Sequence, residues 1–431
     1  MKKNYSFRNL INDIHLWIGV PSALVLVIMC MSGTLYVFQR EITQWADHDR
    51  FYLQIPEGKT TLSADSLKLL VENQMKGKVT TIQIPQESDQ AWTFTVVHQE
   101  DKGLRTKEKP TKTDPTEKSS KKNKEGKPEK KVADKEKAKS YLINPYSGLI
   151  QGDAKTPSVG FFAKVLQLHR WLLIENKDIG GAITGTACIL MLFLQITGFI
   201  LWLPAKLSSW KKWHAWEIGF KIKMDASWRR INFDLHKSLG FYAFLFVTIM
   251  ATTGPYFAFK WYKEGTQALL DAKPFAKENT VLSEIQDRES LALNRIISHT
   301  YTIYPYAGNV RINLPKDEKG SYAVQKYQEG FFACSGIDRV ILDQYSGAIL
   351  ELKPYADLSF GQKVIFSAKA IHTGEIFGTF TKLLYFLACL IATSLPITGV
   401  LIWLRKGKKE KKKPVTASAT HPLQTSMGKN L

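Results

Sequence analysis

The chain has 431 residues, 44% in the apolar set AVILMFWYC and 23% charged, which excludes disordered and collagen-like classes. Four cysteines without a CxxC pair argue against a zinc ribbon or a disulfide scaffold. The formal charge of +20 sits in four blocks, 1–13 (+2), 101–139 (+7), 205–235 (+4) and 405–431 (+7); three of these flank long apolar runs, so nucleic acid is not an expected partner.

The first apolar run, roughly 16–38, is long enough to cross ~30 Å of hydrocarbon. It lacks a small-residue cleavage site and reads as an uncleaved anchor, with Lys2, Lys3 and Arg8 placing residues 1–13 in the cytoplasm. Runs near 181–203, 238–259 and 380–404 supply three more spans. The resulting segments are 14–39, 179–204, 236–260 and 376–404. The basic loop 205–235 and the tail 405–431 then also face the cytoplasm, and 40–178 and 261–375 face the outside.

Each outer segment reads as α+β. In the first, 63–75 has helical spacing with Ser63 as N-cap, 79–84 and 91–97 alternate as strands, and 141–151 forms a hairpin. The lysine-rich stretch 101–139 has no apolar periodicity and reads as a solvated, disordered insertion. In the second, 289–299 is the helix and 309–314, 321–327 and 338–351 are strands. Tyr301, Tyr304, Tyr306 and the Phe331–Phe332 pair fit the domain's own core first and an outer cleft second.

An internal repeat organises the whole. Asp13-Ile14-His15 opens the first span and Asp234-Leu235-His236 the third; Gly19 and Gly33 correspond to Gly240 and Gly254. Tyr146-Ser147-Gly148 matches Tyr345-Ser346-Gly347, His169 matches His372, and Ile196-Thr197-Gly198 matches Ile397-Thr398-Gly399. Partners lie 199 to 221 residues apart.

The order of His15, a YSG hairpin, His169 and ITGFILWLP, occurring twice, resembles the PepSY-associated transmembrane family of bacteria. The resemblance covers nearly the whole chain apart from 101–139 and the tail. It implies a membrane α+β fold: four transmembrane helices in two tandem helix–PepSY-like domain–helix repeats, with two small α+β periplasmic domains. It also implies the bacterial inner membrane and a link to iron uptake, since the family includes dihaem ferric-siderophore reductases.

Of nine histidines, four lie at the ends of the spans. Topology pairs His15 with His236 at the cytoplasmic boundary and His169 with His372 at the outer one. One interfacial histidine is commonly just that; two pairs at repeat-equivalent positions suit axial ligation of iron, and ionisable groups at membrane depth point to function. With no CxxCH motif, two b-type haems are expected. His169 stands ten residues before its apolar run, so a helix over 159–173 must dip and turn through 176–181 to bring it down. Arg170 and Lys237, with Arg8 and Arg229 nearby, are candidates for haem propionates or for snorkelling to lipid headgroups. His48, His98, His214, His299 and His421 are not expected ligands, and Cys30, Cys188, Cys334 and Cys389 are not expected in catalysis.

The expected function is a transmembrane ferric reductase, passing electrons from a quinol or a cytoplasmic reductase to a ferric siderophore or other ferric chelate. No nucleotide-binding fingerprint supplies the donor within the chain. The competing expectation is a membrane-anchored PepSY binding or regulatory module without redox activity.

Overall fold

The computed structural model describes residues 5–98, 138–272, 281–328 and 336–407. The lysine-rich stretch up to residue 137, the Phe331–Phe332 pair, Cys334, and the tail from residue 408 with His421 lie outside the described residues.

Four helices are long and apolar enough to cross a membrane. The first, α1 (Phe7–Val37), starts well before the apolar run, because Ser6 accepts a hydrogen bond from Asn9 N and caps a polar first turn. It leads to α2 (Gln39–Ala46) and α3 (His48–Phe51). Helix α4 (Ala64–Met75), capped by Ser63 as its sequence predicts, is followed by β1 (Gly77–Ile84) and β2 (Trp92–His98). Strands β3 (Ala138–Ile143) and β4 (Ile150–Asp153) flank the YSG turn. Thus Ala138 and Lys139, expected to end the insertion, belong to the sheet, where Lys139 pairs with Val96.

Helix α5 (Pro157–Trp171) then meets the long α6 (Lys177–Trp202). The short α7 (Trp213–Phe220) precedes α8 (Trp228–Ala258), and α9 (Lys260–Leu269) follows it. Helix α10 (Leu293–Ile303), strands β5 (Val310–Asn313), β6 (Ser321–Tyr327), β7 (Ile337–Asp343) and β8 (Ile349–Lys353), and helices α11 (Phe360–Phe366), α12 (Ala368–Thr373) and α13 (Gly378–Gly407) complete the described chain.

The strands of the two expected α+β units meet in one sheet. All eight strands form a single antiparallel sheet in the order β4-β3-β2-β1-β5-β6-β7-β8. Strands β1 and β5 would each be an open edge in a separate unit; pairing Ile82 with Ile312 satisfies both edges. One face carries a shared core in which α4 (Leu67, Val71) and α10 (Leu293, Ile296) cover Ile82, Phe94, Ile312 and Val324. The helices also cap each other. Asp65 accepts from Leu293 N and Asn294 N (2.7 and 3.1 Å), while Asn294 Oδ1 accepts from Ala64 N (2.8 Å). That tertiary cap starts α10 at Leu293, four residues later than expected.

Among the tyrosines, Tyr304 is buried in this core and donates to Arg339 O (3.0 Å). Tyr306 donates to Asp338, and the Lys326 ammonium lies 3.9 Å from the centre of the Tyr301 ring.

In the helical bundle, Leu26, Met29, Ala187, Met191, Ala243, Val247, Ala251, Ala388 and Ala392 form a second core. Its alanines let the four long helices approach closely, as helices in lipid require. At the sheet end, Lys382 is buried against Glu41 (2.7 and 2.9 Å), tying α13 to α2.

Candidate functional site

The first two histidines are each the ninth residue of a long helix, His15 of α1 and His236 of α8. Their rings face one another with centroids 6.2 Å apart and planes at 85°. At the other end, α5 folds back along α1, and Leu172 and Leu173 turn the chain with positive φ before α6 begins. This return places His169 Nδ1 2.9 Å from Met29 O, within the bundle. Helix α12 makes the matching approach to α8, and His169 and His372 face each other at 6.2 Å with planes at 56°.

The ring contacts fix a tautomer. His15 Nδ1 lies 2.8 Å from Thr197 Oγ1, and that hydroxyl already donates its proton to Phe193 O (2.7 Å). The oxygen must therefore accept, which puts the proton on Nδ1. His236 repeats this with Thr398 (2.9 Å), and His372 with Thr253 (2.8 Å). His169 donates to Met29 O and approaches Ser32 Oγ (3.3 Å). No Nε2 of the four has a hydrogen-bond partner among the described residues, so each is left to face its opposite ring.

A glycine follows each hydroxyl residue and gives the ring its room. A Cβ on Gly198 or Gly399 would sit 3.3 Å from Cε1 of His15 or His236, and one on Gly33 would sit 3.2 Å from Cε1 of His169. At Gly254 it would meet Cys188 Sγ at 2.6 Å. The hydroxyl–glycine dipeptides are reciprocal. Helix α1 supplies His15 and holds His169, while α6 holds His15; α8 supplies His236 and holds His372, while α13 holds His236.

Two cavities accompany the pairs. The larger, about 290 Å³, contains His15, His236, Gly19, Gly240, Asn12, Arg8, Lys237 and the amide of Gln195. The smaller, about 110 Å³, contains His169 and His372 with Cys30, Cys188 and Cys389. Leu26 and Met191 line both. Lys237 opens onto the larger cavity; Arg8 does too, but its guanidinium is engaged with Leu201 O and Leu203 O at the end of α6. Arg170 stacks on Trp171 (4.7 Å), and neither it nor Arg229 lines either of these two cavities.

A family model described as the PepSY-associated TM region matches residues 13–406. The chain belongs to this family. It is a multi-pass membrane protein of mixed α/β structure. No curated protein matches it.

The residues of this PepSY-associated protein fit a bis-imidazole iron site. Metal–nitrogen bonds of about 2 Å set the centres of two trans imidazoles roughly 6 Å apart, the spacing both pairs have. Gln195 is 8% exposed and lines the larger cavity. The other described histidines make different contacts. His48 stacks on Tyr52, His98 meets Tyr141 (3.3 Å), His214 meets Glu217 (3.2 Å), and His299 lies beside Gly347.

The hydroxyl partners and Gln195 were not singled out from the sequence. Their signal was present as a Ser-Gly or Thr-Gly dipeptide recurring at 32–33, 197–198, 253–254 and 398–399.

Proposed function

We propose that this protein is an inner-membrane, dihaem b-type electron-transfer protein that reduces ferric siderophores or other ferric chelates in the periplasm. The observation that carries the reading is the pair of facing imidazoles at each end of one bundle. His15 and His236 would hold one haem iron, and His169 and His372 the other. Lys237, which lines the larger cavity, is the propionate partner proposed there, and Arg170, next to His169, the one proposed for the second haem. Haem held there would supply a one-electron centre, suited to electron transfer rather than oxygen chemistry.

The chain's own residues do the rest. Thr197, Thr398, Thr253 and Ser32, with the Met29 carbonyl, hold Nδ1–H and aim Nε2 inward. Leu26 and Met191 form the apolar partition between the sites and exclude water from it.

The two halves are tandem copies of one helix–domain–helix unit. The basic segments 1–13, 205–235 and 405–431 set the cytoplasmic side, and the sheet lies in the periplasm. Each ferric ion takes one electron. A quinol donor delivers two and releases two protons; a cytoplasmic reductase is the other class of donor.

Purified protein reduced with dithionite and mixed anaerobically with ferric citrate or a ferric siderophore should reoxidise, with Fe²⁺ captured by ferrozine. His372→Ala should abolish this. A reduced Soret band unaffected by ferric chelates would remove the reductase reading and leave a haem protein with another acceptor. A colourless preparation from haem-replete cells would favour the anchored binding module.

A further inference from the structure

The sheet has two faces, and one is accounted for by the core. Pairing across the strands sets Ile82, Ile312, Val324 and Val340 in one row on the core face. The neighbouring row, Gln83–Arg311–Gln325–Arg339, therefore points to the opposite face. It continues to Lys353 on β8. Directly opposed residues carry no acidic group along this row. Among the described residues, Glu351, two residues from Lys353 on the same strand face, is engaged by Lys353 (2.8 Å).

Three details set the row apart from a solvated surface. Arg311 makes no side-chain hydrogen bond or ion pair with any described residue, and its Nε is buried without a partner. A buried guanidinium N–H left unpaired is costly and calls for an acceptor. Tyr327 donates to Gln325 Oε1 (3.3 Å), which fixes the amide so that its NH₂ remains to donate. Arg339 is held over the Phe366 ring at 5.1 Å, on the helix just before the one that carries His372.

We propose that this row binds the anionic periphery of a carboxylate-bearing ferric chelate. Arg311 can take a carboxylate in its two-pronged geometry, with Gln83 on one side of it and Gln325 on the other as amide donors. The inference rests on the ferric reductase reading and adds the substrate class: polycarboxylate chelates rather than neutral ones.

Binding is tested apart from electron transfer by titrating the full chain in detergent with redox-inert gallium(III) citrate in a calorimeter. Wild type should bind, and Arg311→Met should weaken binding at least tenfold with unchanged thermal unfolding. If Arg311→Met fails to fold, Gln83→Glu decides: it changes an exposed position, and should weaken binding by placing a like charge on the row. Both variants should still reduce hexaammineruthenium(III), a cationic oxidant with no carboxylates, at the wild-type rate. Gallium citrate bound by wild type without ferric reduction would uphold the site and remove the reductase reading. Absence of binding to wild type, equal binding by the folded variants, or displacement of gallium citrate by phosphatidylglycerol vesicles but not by free citrate would overturn the site.

Discussion

His15 on α1 and Thr197 on α6 are joined by a single hydrogen bond of 2.8 Å in which the threonine is obliged to accept. The bond decides which ring nitrogen faces His236, and so turns two interfacial histidines into a matched pair. The same relation recurs at His236 and Thr398.

Replacing Thr197 with Val keeps the shape and removes the acceptor. With haem bound as proposed, the His15 ring would then donate less charge to the iron, which would destabilise the ferric form and raise the midpoint potential of that site. The shift should be about 20–60 mV, the one-electron equivalent of a hydrogen bond of about 0.5–1.5 kcal/mol. Thr197→Ser should restore the original potential. Spectroelectrochemical titration resolves this; a Val variant with both potentials unmoved would make the hydroxyl merely structural.

The ring planes cross at 85° in one pair and 56° in the other. Near-perpendicular axial imidazoles leave the two π-type iron d orbitals almost degenerate and widen the spread of g values. Oxidised protein should show two low-spin paramagnetic resonance signals, the wider belonging to the His15–His236 site. His15→Ala should delete the wider signal alone; loss of the narrower one would reverse the assignment.

The YSG turn of the second half gives a pH dependence. Burial alone would raise the Asp343 carboxyl, but hydrogen bonds from the Ser346 hydroxyl and N–H, Ser283 and Tyr345 N hold it below the usual range. With its folded value depressed, its stabilisation is present above about pH 4, the unfolded value, and is lost as pH falls through the folded one. Asn144 fills the same place in the first half with its amide oxygen. Asp343→Asn should therefore lower Tm at pH 7, and the gap to wild type should shrink as pH approaches 3. A constant gap across that range would rule out titration of Asp343 as its source.

The four spans and their histidines were legible in the sequence because hydropathy and a repeat reveal them directly. Helix starts were not: the polar turns before His15 and His236 are helical without being apolar. The shared sheet was hidden because the Ile82–Ile312 pairing is a tertiary choice between two edges, invisible to strand periodicity. Gly33, Gly198, Gly254 and Gly399 stood out, yet a packing glycine and a ring-admitting glycine look alike until the preceding hydroxyl is seen against a histidine.

Haem content per chain, measured as pyridine haemochrome on protein purified in mild detergent, tests the central claim most directly. Wild type should carry two b-type haems, and each of His15→Ala, His236→Ala, His169→Ala and His372→Ala should carry one. Full haem content in all four variants, or none in wild type from haem-replete cells, would contradict ligation by the two facing pairs.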